Sequence, residues 1–306
     1  MEFSLLINKM AIFVVLMVIG YVCARRGVIN EAYTKTTSKL VINVFMTATI
    51  LKSVLEVETS IRLSDLFKSL LILCLTIVFC FLLSFVVTRL LHIERKRAPM
   101  FELLAAVGNT MFIGLPVAEA LLGPLAVFYV SMSNIPFNAM IYTYGIWLLM
   151  GGGKDVKLRP RDILSVPLLA TLAALVLFLL QPPVPAVVRE LINAMSGATM
   201  PLSMVVIGSS LGSVSLADAF RNKKLYLVSF IRLILAPVLV ALLANLLVSD
   251  PLLRLTCIII AACPSAVIIS VLAIQYGKDY VFTSEGILQS TALSMLTIPL
   301  ILYFFA

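Results

Sequence analysis

The sequence is poor in the side chains on which most enzymes and metal proteins depend. Charged residues make up 12% of the chain, and the single histidine, His92, lies among basic residues. The five cysteines fall within or at the ends of apolar segments, without the spacing of a metal site. A membrane enzyme would need a nucleophile with a base, or metal ligands, inside the bilayer. We therefore expect no disulfide framework, no bound metal or cofactor and no catalytic activity.

Apolar residues dominate what is present. Hydrophobic residues account for 61% of the sequence, and the mean hydropathy of +1.11 is far above that of soluble domains. Apolar runs of about 20 residues, the length that crosses a bilayer as a helix, recur about ten times. They lie near 3–24, 39–55, 66–91, 98–122, 124–149, 161–180, 190–212, 222–247, 254–276 and 279–305. The sequence therefore predicts an all-α integral membrane protein embedded in the lipid bilayer.

The net charge of +8 reflects membrane topology rather than a nucleic-acid-binding face. Most of the 23 lysines and arginines lie in the connections that follow the odd-numbered apolar runs. Because lysine and arginine concentrate in cytoplasmic loops, these connections are predicted to be cytoplasmic. Both termini are then predicted to lie outside the cytoplasm, in a multi-pass protein of the cell's inner (plasma) membrane.

The apolar runs of the two halves correspond to each other. An offset of about 154 residues carries 66–91 onto 220–245 and 124–149 onto 278–303, as expected for an internal repeat. Five spans are an odd number, so the two halves must enter the membrane in opposite directions. We therefore predict a first inverted repeat at 1–150, a cytoplasmic linker at 151–160 and a second inverted repeat at 161–306.

Two of the apolar runs are interrupted near their midpoints. The interruptions read GNTMFIGLP at 108–116 and AACPSAV at 261–267. Pro116 and Pro264 each remove a backbone donor, so regular helical hydrogen bonding should fail near them. In secondary transporters, interrupted helices at matching positions of two repeats mark the substrate site. The sequence therefore predicts a site where the fourth and ninth spans meet.

The residues at these interruptions suit an anion. A helix that begins inside the membrane presents N–H groups and the positive end of its dipole, about half a charge. Asn109, Thr110 and Ser265 add side-chain hydrogen bonds, and Gly114 allows a ligand to approach the backbone. The aspartates all lie in loops or at segment ends, which argues against the cation site of a sodium/proton antiporter. Alternatively, these polar groups satisfy only the backbone that the interruption exposes.

Three further amides lie within the apolar runs. Asn134 and Asn138 are one helical turn apart in the fifth run, and Asn43 lies in the second. Amides in membrane helices either line a substrate site or join neighbouring helices. Both roles remain open for these three residues.

Three ionisable residues within the runs are candidates for ion coupling. Glu119 and Glu285 could carry a coupling proton if they are partly buried, or could lie at an interface or bond a polar neighbour. Arg232 could balance the charge of the substrate or form the structural partner of one of these glutamates. The sequence does not decide between a proton, a sodium ion and no coupling ion.

Several blocks of the sequence, taken in order, resemble the auxin efflux carrier family of secondary transporters. They are GNTMFIGLP, ATMPLSMVVIGSSL at 198–211, AACPSAVIISVLAIQYG at 261–277 and ILQSTALSMLTIPL at 287–300. The resemblance covers nearly the whole chain. It implies ten helices in two inverted repeats of the sodium/proton-antiporter type, with broken, crossing helices four and nine, and a binding role for Asn109. The chain departs from the family at Thr47, where the second span usually has proline, and at Val166, where asparagine is common.

The resulting hypothesis is a secondary carrier of small organic anions such as mono- or dicarboxylates. The resemblance implies alternating access, in which a bundle containing the crossover moves against a scaffold of spans one, two, six and seven, and it implies a homodimer. The alternatives are a sodium-coupled symporter of the bile-acid type and a non-transporting membrane sensor.

Topology can be tested with single cysteines placed at positions 2 and 155 of a cysteine-free variant. Because the basic loops are assigned to the cytoplasm, we expect position 2 to react with a membrane-impermeant maleimide in intact cells. Position 155 should react only after the membrane is permeabilised. Protection of position 2 in intact cells would overturn the assigned orientation.

Overall fold

The computed structural model describes residues 3–56, 62–151, 165–212 and 216–305, and within these ranges the chain is helical. No strand forms in the described ranges. An isolated antiparallel backbone bridge pairs Gly108 with Ser265. This confirms the predicted all-α class. The predicted linker at 151–160 lies, apart from its first residue, outside the described residues.

We number the helices in chain order. They are α1 (Phe3–Arg25), α2 (Glu31–Leu55), α3 (Leu63–Leu90), α4 (Ala98–Ala106), α5 (Thr110–Leu122), α6 (124–149), α7 (Val166–Leu180), α8 (Ala186–Gly212), α9 (Leu216–Arg221), α10 (Lys223–Leu247), α11 (Pro251–Ala262), α12 (Ile268–Gln275) and α13 (Tyr280–Phe305). Six of them, α1, α2, α3, α8, α10 and α13, are long and apolar enough to cross a membrane. Helices α5, α7 and α11 are apolar but shorter.

Several helices contain a π turn, in which the hydrogen bonds span five residues instead of four. These turns are Val41–Phe45 in α2, Thr110–Gly114 at the start of α5, Ile141–Gly145 in α6 and Ile231–Leu235 in α10. Single π turns inside α-helices commonly occur at functional sites. The turn in α2 lies just before Thr47, so this helix is irregular even though it lacks the proline that is usual in the family.

The chain divides into two compact units. Unit 1 comprises Met1–Leu70, Met111–Asn134 and Leu164–Ser213, and unit 2 comprises Leu71–Thr110, Ile135–Ile163 and Val214–Ala306. Helices α1, α2, α7 and α8 therefore belong to unit 1, and α4 and α9 to α13 belong to unit 2. Helices α3, α5 and α6 each have one part in unit 1 and the other part in unit 2.

Unit 1 depends on close contact between α1 and α8. A Cβ atom added to Gly20 would collide with the main chain at Val205, and one added to Gly208 would collide with the main chain at Met17. Each glycine therefore faces the backbone of the other helix. Because lipid is as apolar as leucine, membrane helices associate through such close backbone packing at small residues.

Hydroxyl groups tie α2 to α8 within the same unit. The Oγ1 atoms of Thr49 and Thr199 are 2.7 Å apart, and Ser196 Oγ donates to Thr49 Oγ1 at 3.1 Å. All three side chains are buried. Nearer the other end of α8, the hydroxyls of Thr34 and Ser209 are 3.0 Å apart. These contacts give unit 1 a specific helix register in addition to the glycine contacts.

The glycine contacts can be tested with the same substitution at two positions of α8. Gly208→Ala must push α1 away, which we expect to cost about 1–3 kcal/mol as overpacking does in other proteins. Gly197→Ala is the matched control, because a Cβ there meets nothing within 4 Å, and the higher helix propensity of alanine should leave stability unchanged or raised. Thermal unfolding in detergent measures both. Equal unfolding temperatures for the two variants would contradict the packing described.

Candidate functional site

Two helices end inside unit 2, at the positions where the sequence predicts interruptions. Helix α4 ends at Ala106 and α11 at Ala262, and the following residues, Val107 and Cys263, have extended backbone. At Cys263 the cause is local, because the residue before a proline is forced out of the helical region. The prediction for the first interruption was inexact, since the helix stops at 107–109 and Pro116 lies within α5.

The two interruptions bond to each other. The N–H of Asn109 donates to the carbonyl of Pro264 at 2.7 Å, and the N–H of Ala266 donates to the carbonyl of Val107 at 3.0 Å. Gly108 and Ser265 form the antiparallel pair between these bonds. All of these residues are buried, so the backbone freed by one interruption is satisfied by the other, as buried polar groups require.

Arg232 completes this arrangement from the π turn of α10. Its Nε donates to the carbonyl of Cys263 at 2.7 Å, Nη1 to that of Ala106 at 2.9 Å and Nη2 to that of Ile260 at 2.9 Å. The side chain is 1% exposed. One guanidinium therefore joins the carboxyl ends of α4 and α11, where the helix dipoles place partial negative charge.

Gly108 allows the guanidinium to lie against the break. A Cβ atom on this residue would collide with Arg232 Nη2 and would lie 3.2 Å from the carbonyl oxygen of Ile260. The need for glycine here is therefore steric.

The hydroxyl of Ser265 is also used within the protein. Its Oγ donates to the carbonyl of Leu104 in α4 at 2.7 Å, and its N–H donates to Ser290 Oγ in α13 at 3.2 Å. Ser265 is completely buried. Through its side chain and its main-chain N–H, this residue thus links three segments of unit 2.

These bonds change one detail of the expected anion site. The N–H groups of Asn109, Thr110, Ser265 and Ala266 all donate within the protein, the second of them to the carbonyl of Gly108 at 2.9 Å. These four N–H groups are therefore occupied within the protein, and the guanidinium adds a full positive charge at the break.

The other predicted site residues are divided between the units. Asn109, Thr110, Pro264 and Ser265 come together in unit 2, which also contains Asn138 and Arg232. Unit 1 contains the other four predicted residues, Gly114, Pro116, Asn134 and Asn43. Gly114 and Pro116 are buried in α5, whereas Asn43 is exposed in the π turn of α2. Asn134 Nδ2 donates to the carbonyl of Ser131 in its own helix at 3.0 Å.

The two glutamates predicted as coupling residues have polar partners other than Arg232. Glu119 Oε1 lies 3.3 Å from Lys52 Nζ within unit 1. Glu285 Oε2 accepts a hydrogen bond of 3.0 Å from Asn222 within unit 2. The proposed pairing of Arg232 with a glutamate is not seen, because the guanidinium bonds to backbone carbonyls.

Two buried polar residues of unit 2 were not predicted as functional from the sequence. Glu102 in α4 is 2% exposed and accepts a hydrogen bond from the Tyr144 hydroxyl. Gln289 in α13 is completely buried; it donates to the carbonyl of Ala219 at 3.2 Å and accepts from Ser229 at 3.1 Å. A count of every charged residue inside the apolar runs would have found Glu102.

Six apolar helices long enough to cross a membrane, together with two helix interruptions that bond to each other, are features of a multi-pass membrane protein of the transporter class. The chain belongs to the membrane transport protein family, the auxin efflux carrier family, because the family profile matches residues 5–163 and 156–302. An uncharacterized transporter of Methanothermobacter thermautotrophicus is 28% identical over 94% of both chains. Another, of Methanocaldococcus jannaschii, is 24% identical over 94% of this chain and 95% of its own.

The contact between Gly108 and Arg232 predicts strong coupling in a double-mutant cycle. Gly108→Ala should destabilise the protein by about 1–3 kcal/mol, because the new methyl group collides with the guanidinium. Arg232→Ala should cost more than about 3 kcal/mol, since it leaves three buried carbonyls unpaired. In the Arg232→Ala background the Gly108→Ala change should cost little.

Equilibrium unfolding in mixed micelles measures the cycle. If Arg232→Ala does not fold, Arg232→Lys replaces it, because lysine keeps the charge but lacks the colliding Nη2 atom. Strictly additive costs would show that a methyl group at position 108 and the Arg232 guanidinium do not interact.

Proposed function

We propose that the protein is a secondary active carrier of small organic anions, such as mono- or dicarboxylates, with the anion bound at the crossover of the fourth and ninth spans. The observation that carries the proposal is the buried charge of Arg232. In the described part of the chain this guanidinium bonds to carbonyls and forms no ion pair with a carboxylate. The broken region of unit 2 therefore contains a fixed positive charge.

The energy of this charge is large enough to select an anion. A monoanion about 6 Å from the guanidinium would gain about 3 kcal/mol at an effective dielectric constant of 20. A cation at the same place would lose as much. This argues for an organic anion and against direct binding of a metal cation beside the guanidinium.

Asn109 and Thr110 are the side chains that we assign to the carboxylate. Both are buried at the first interruption, with Asn109 6% exposed and Thr110 3% exposed. The bond from the Asn109 N–H to Pro264 fixes the backbone that carries the amide. An amide and a hydroxyl held in this way are neutral donors suited to a carboxylate oxygen.

The ten-span arrangement and alternating access are parts of the same proposal. The scaffold spans inferred from the family, one, two, six and seven, correspond to α1, α2, α7 and α8, and all four belong to unit 1. Spans eight to ten and both interruptions belong to unit 2. This grouping supports an elevator mechanism in which the two interruptions move with unit 2, while the second half of the fourth span, within Met111–Asn134, belongs to unit 1. We further propose a homodimer in the plasma membrane with both termini outside the cytoplasm.

The test is transport by purified protein in proteoliposomes. Labelled malate, malonate and an indole carboxylic acid are offered under imposed pH and sodium gradients. We expect saturable uptake by the wild type and at least a tenfold loss of apparent affinity in Asn109→Ala, since a hydrogen bond to a charged group contributes about 1.5–3 kcal/mol. Asn245→Ala, at an exposed position of α10 in the same unit, is the matched control.

The outcomes separate the alternatives. Uptake driven only by a sodium gradient would identify a sodium-coupled symporter of the bile-acid type. No flux of any probe under any gradient would refute the anion carrier and favour a sensor. Equal uptake by Asn109→Ala and Asn245→Ala would remove Asn109 from the site.

A further inference from the structure

Glu102 is a buried acid in the half-helix that leads into the first interruption. Among the described residues, the buried charged side chains are Glu102 and Arg232. The carboxylate accepts a hydrogen bond from the Tyr144 hydroxyl in α6. No lysine, arginine or histidine nitrogen of the described chain lies within ion-pair distance of it. Its environment therefore differs from that of the acids exposed in loops.

The helices around α4 bring few charges to this carboxyl. From α3, Ser84 Oγ donates to the main-chain carbonyl of Glu102 at 2.6 Å, and the charge of Arg89 acts on both Glu102 and Tyr144 from a longer distance. From α10, Arg232 bonds the end of the same half-helix. In the described part of the chain, α12 and α13 also pack on α4 but bring no titratable group into interaction with Glu102.

Such a carboxyl can be either ionised or protonated. An ionised carboxylate in an apolar interior is costly unless several donors surround it. The protonated form keeps a hydrogen bond with the tyrosine oxygen and carries no charge. A cavity of about 260 Å³ lined by Arg97 and Phe101, next to Glu102 along α4, lies at the start of the helix. Both forms therefore keep a hydrogen-bond partner, and the cavity borders the residue next to Glu102 in the chain.

The charge on Glu102 changes the field at the interruption. Glu102 lies one helical turn, about 6 Å, before Ala106, whose carbonyl accepts from Arg232 Nη1. When Glu102 is ionised, its charge offsets that of the guanidinium. When it is protonated, the positive charge of Arg232 is left uncompensated. Proton binding at Glu102 and anion binding at the break should therefore strengthen each other, as thermodynamic linkage requires.

We propose that Glu102 is the proton-carrying group of this carrier. It takes a proton from water as the site takes up its anion, and it returns the proton to water when the anion leaves. The proposal rests on the anion carrier proposed above. Glu119 and Glu285 are less suited to the task, because Glu119 is partly exposed beside Lys52 and Glu285 is partly exposed beside Asn222.

The test compares Glu102→Gln with the wild type, using whichever of malate, malonate or the indole carboxylic acid the wild type transports. Glutamine mimics the protonated acid. We expect Glu102→Gln to retain substrate counterflow and to lose accumulation driven by a pH gradient. Its affinity for the probe should be independent of pH, whereas the wild type should bind at least ~5-fold more tightly at acid than at alkaline pH. Glu190→Gln, the same change at an exposed position of α8 in unit 1, should behave as the wild type.

Normal accumulation by Glu102→Gln under a pH gradient would overturn the proposal. Loss of accumulation in Glu119→Gln or Glu285→Gln, with counterflow retained, would then assign coupling to that glutamate.

A second variant covers the case in which Glu102→Gln does not fold. Tyr144→Phe keeps the carboxyl and removes the donor that favours its ionised form. We expect its counterflow to persist and the pH dependence of accumulation to move towards higher pH. An unchanged pH dependence would exclude Glu102 as the proton carrier.

A measurement without substrate separates this inference from the proposed function. Infrared difference spectra of the wild type between acid and alkaline pH should contain a carboxyl band that is absent from the same spectra of Glu102→Gln. If the wild type transports no anion but the band is present, the carrier proposal fails and the protonation of Glu102 stands. If transport occurs and the band is missing, Glu102 is not the group that binds the proton.

Discussion

The hydrogen bonds of one guanidinium allow two helices to end inside an apolar protein. A helix that stops leaves its last carbonyls without partners, and neither lipid nor an apolar core can satisfy them. Arg232 supplies donors to the carbonyls of Ala106, Ile260 and Cys263 at distances of 2.7 to 2.9 Å. The carbonyls in turn solvate a buried charge that would otherwise be very costly. Each group thus makes the burial of the other possible.

Much of the surrounding sequence can be understood as an adaptation to this arrangement. Gly108 has no side chain because the guanidinium occupies that space. Pro264 lacks an N–H and its predecessor adopts the extended backbone that pairs the two interruptions. Ser265 bonds α4 to the segment between α11 and α12, so that both ends are held in one register. The break is therefore a bonded structural element and not a flexible gap.

The same arrangement accounts for the electrostatics of the proposed site. Because the donors of Arg232 are used by carbonyls, its orientation is fixed while its charge remains available to the surrounding field. Glu102 lies on the same half-helix as Ala106, whose carbonyl accepts from Arg232. An ionised Glu102 offsets the charge of the guanidinium, and a protonated Glu102 leaves that charge uncompensated. A carrier needs such linkage between its ligands, since an ion that does not alter the affinity for the substrate cannot drive its transport. In this protein the linkage would need only the gain or loss of one proton.

Sequence by itself was sufficient for the features that follow from local chemistry. The lengths of the apolar runs determined that the protein is helical and lies in a membrane, and proline with glycine indicated which helices would break. The motif blocks identified the family.

Sequence could not locate the first break exactly, because the glycine-rich stretch at 108–116 allows several stopping points and only the pairing with Pro264 selects 107–109. It also could not assign partners to the ionisable residues. Arg232 bonds carbonyls that lie 126, 28 and 31 residues away along the chain, and Glu102 bonds a tyrosine 42 residues away. Such partners are decided by tertiary packing, since periodicity and composition describe each helix separately and contain no information on which helices meet.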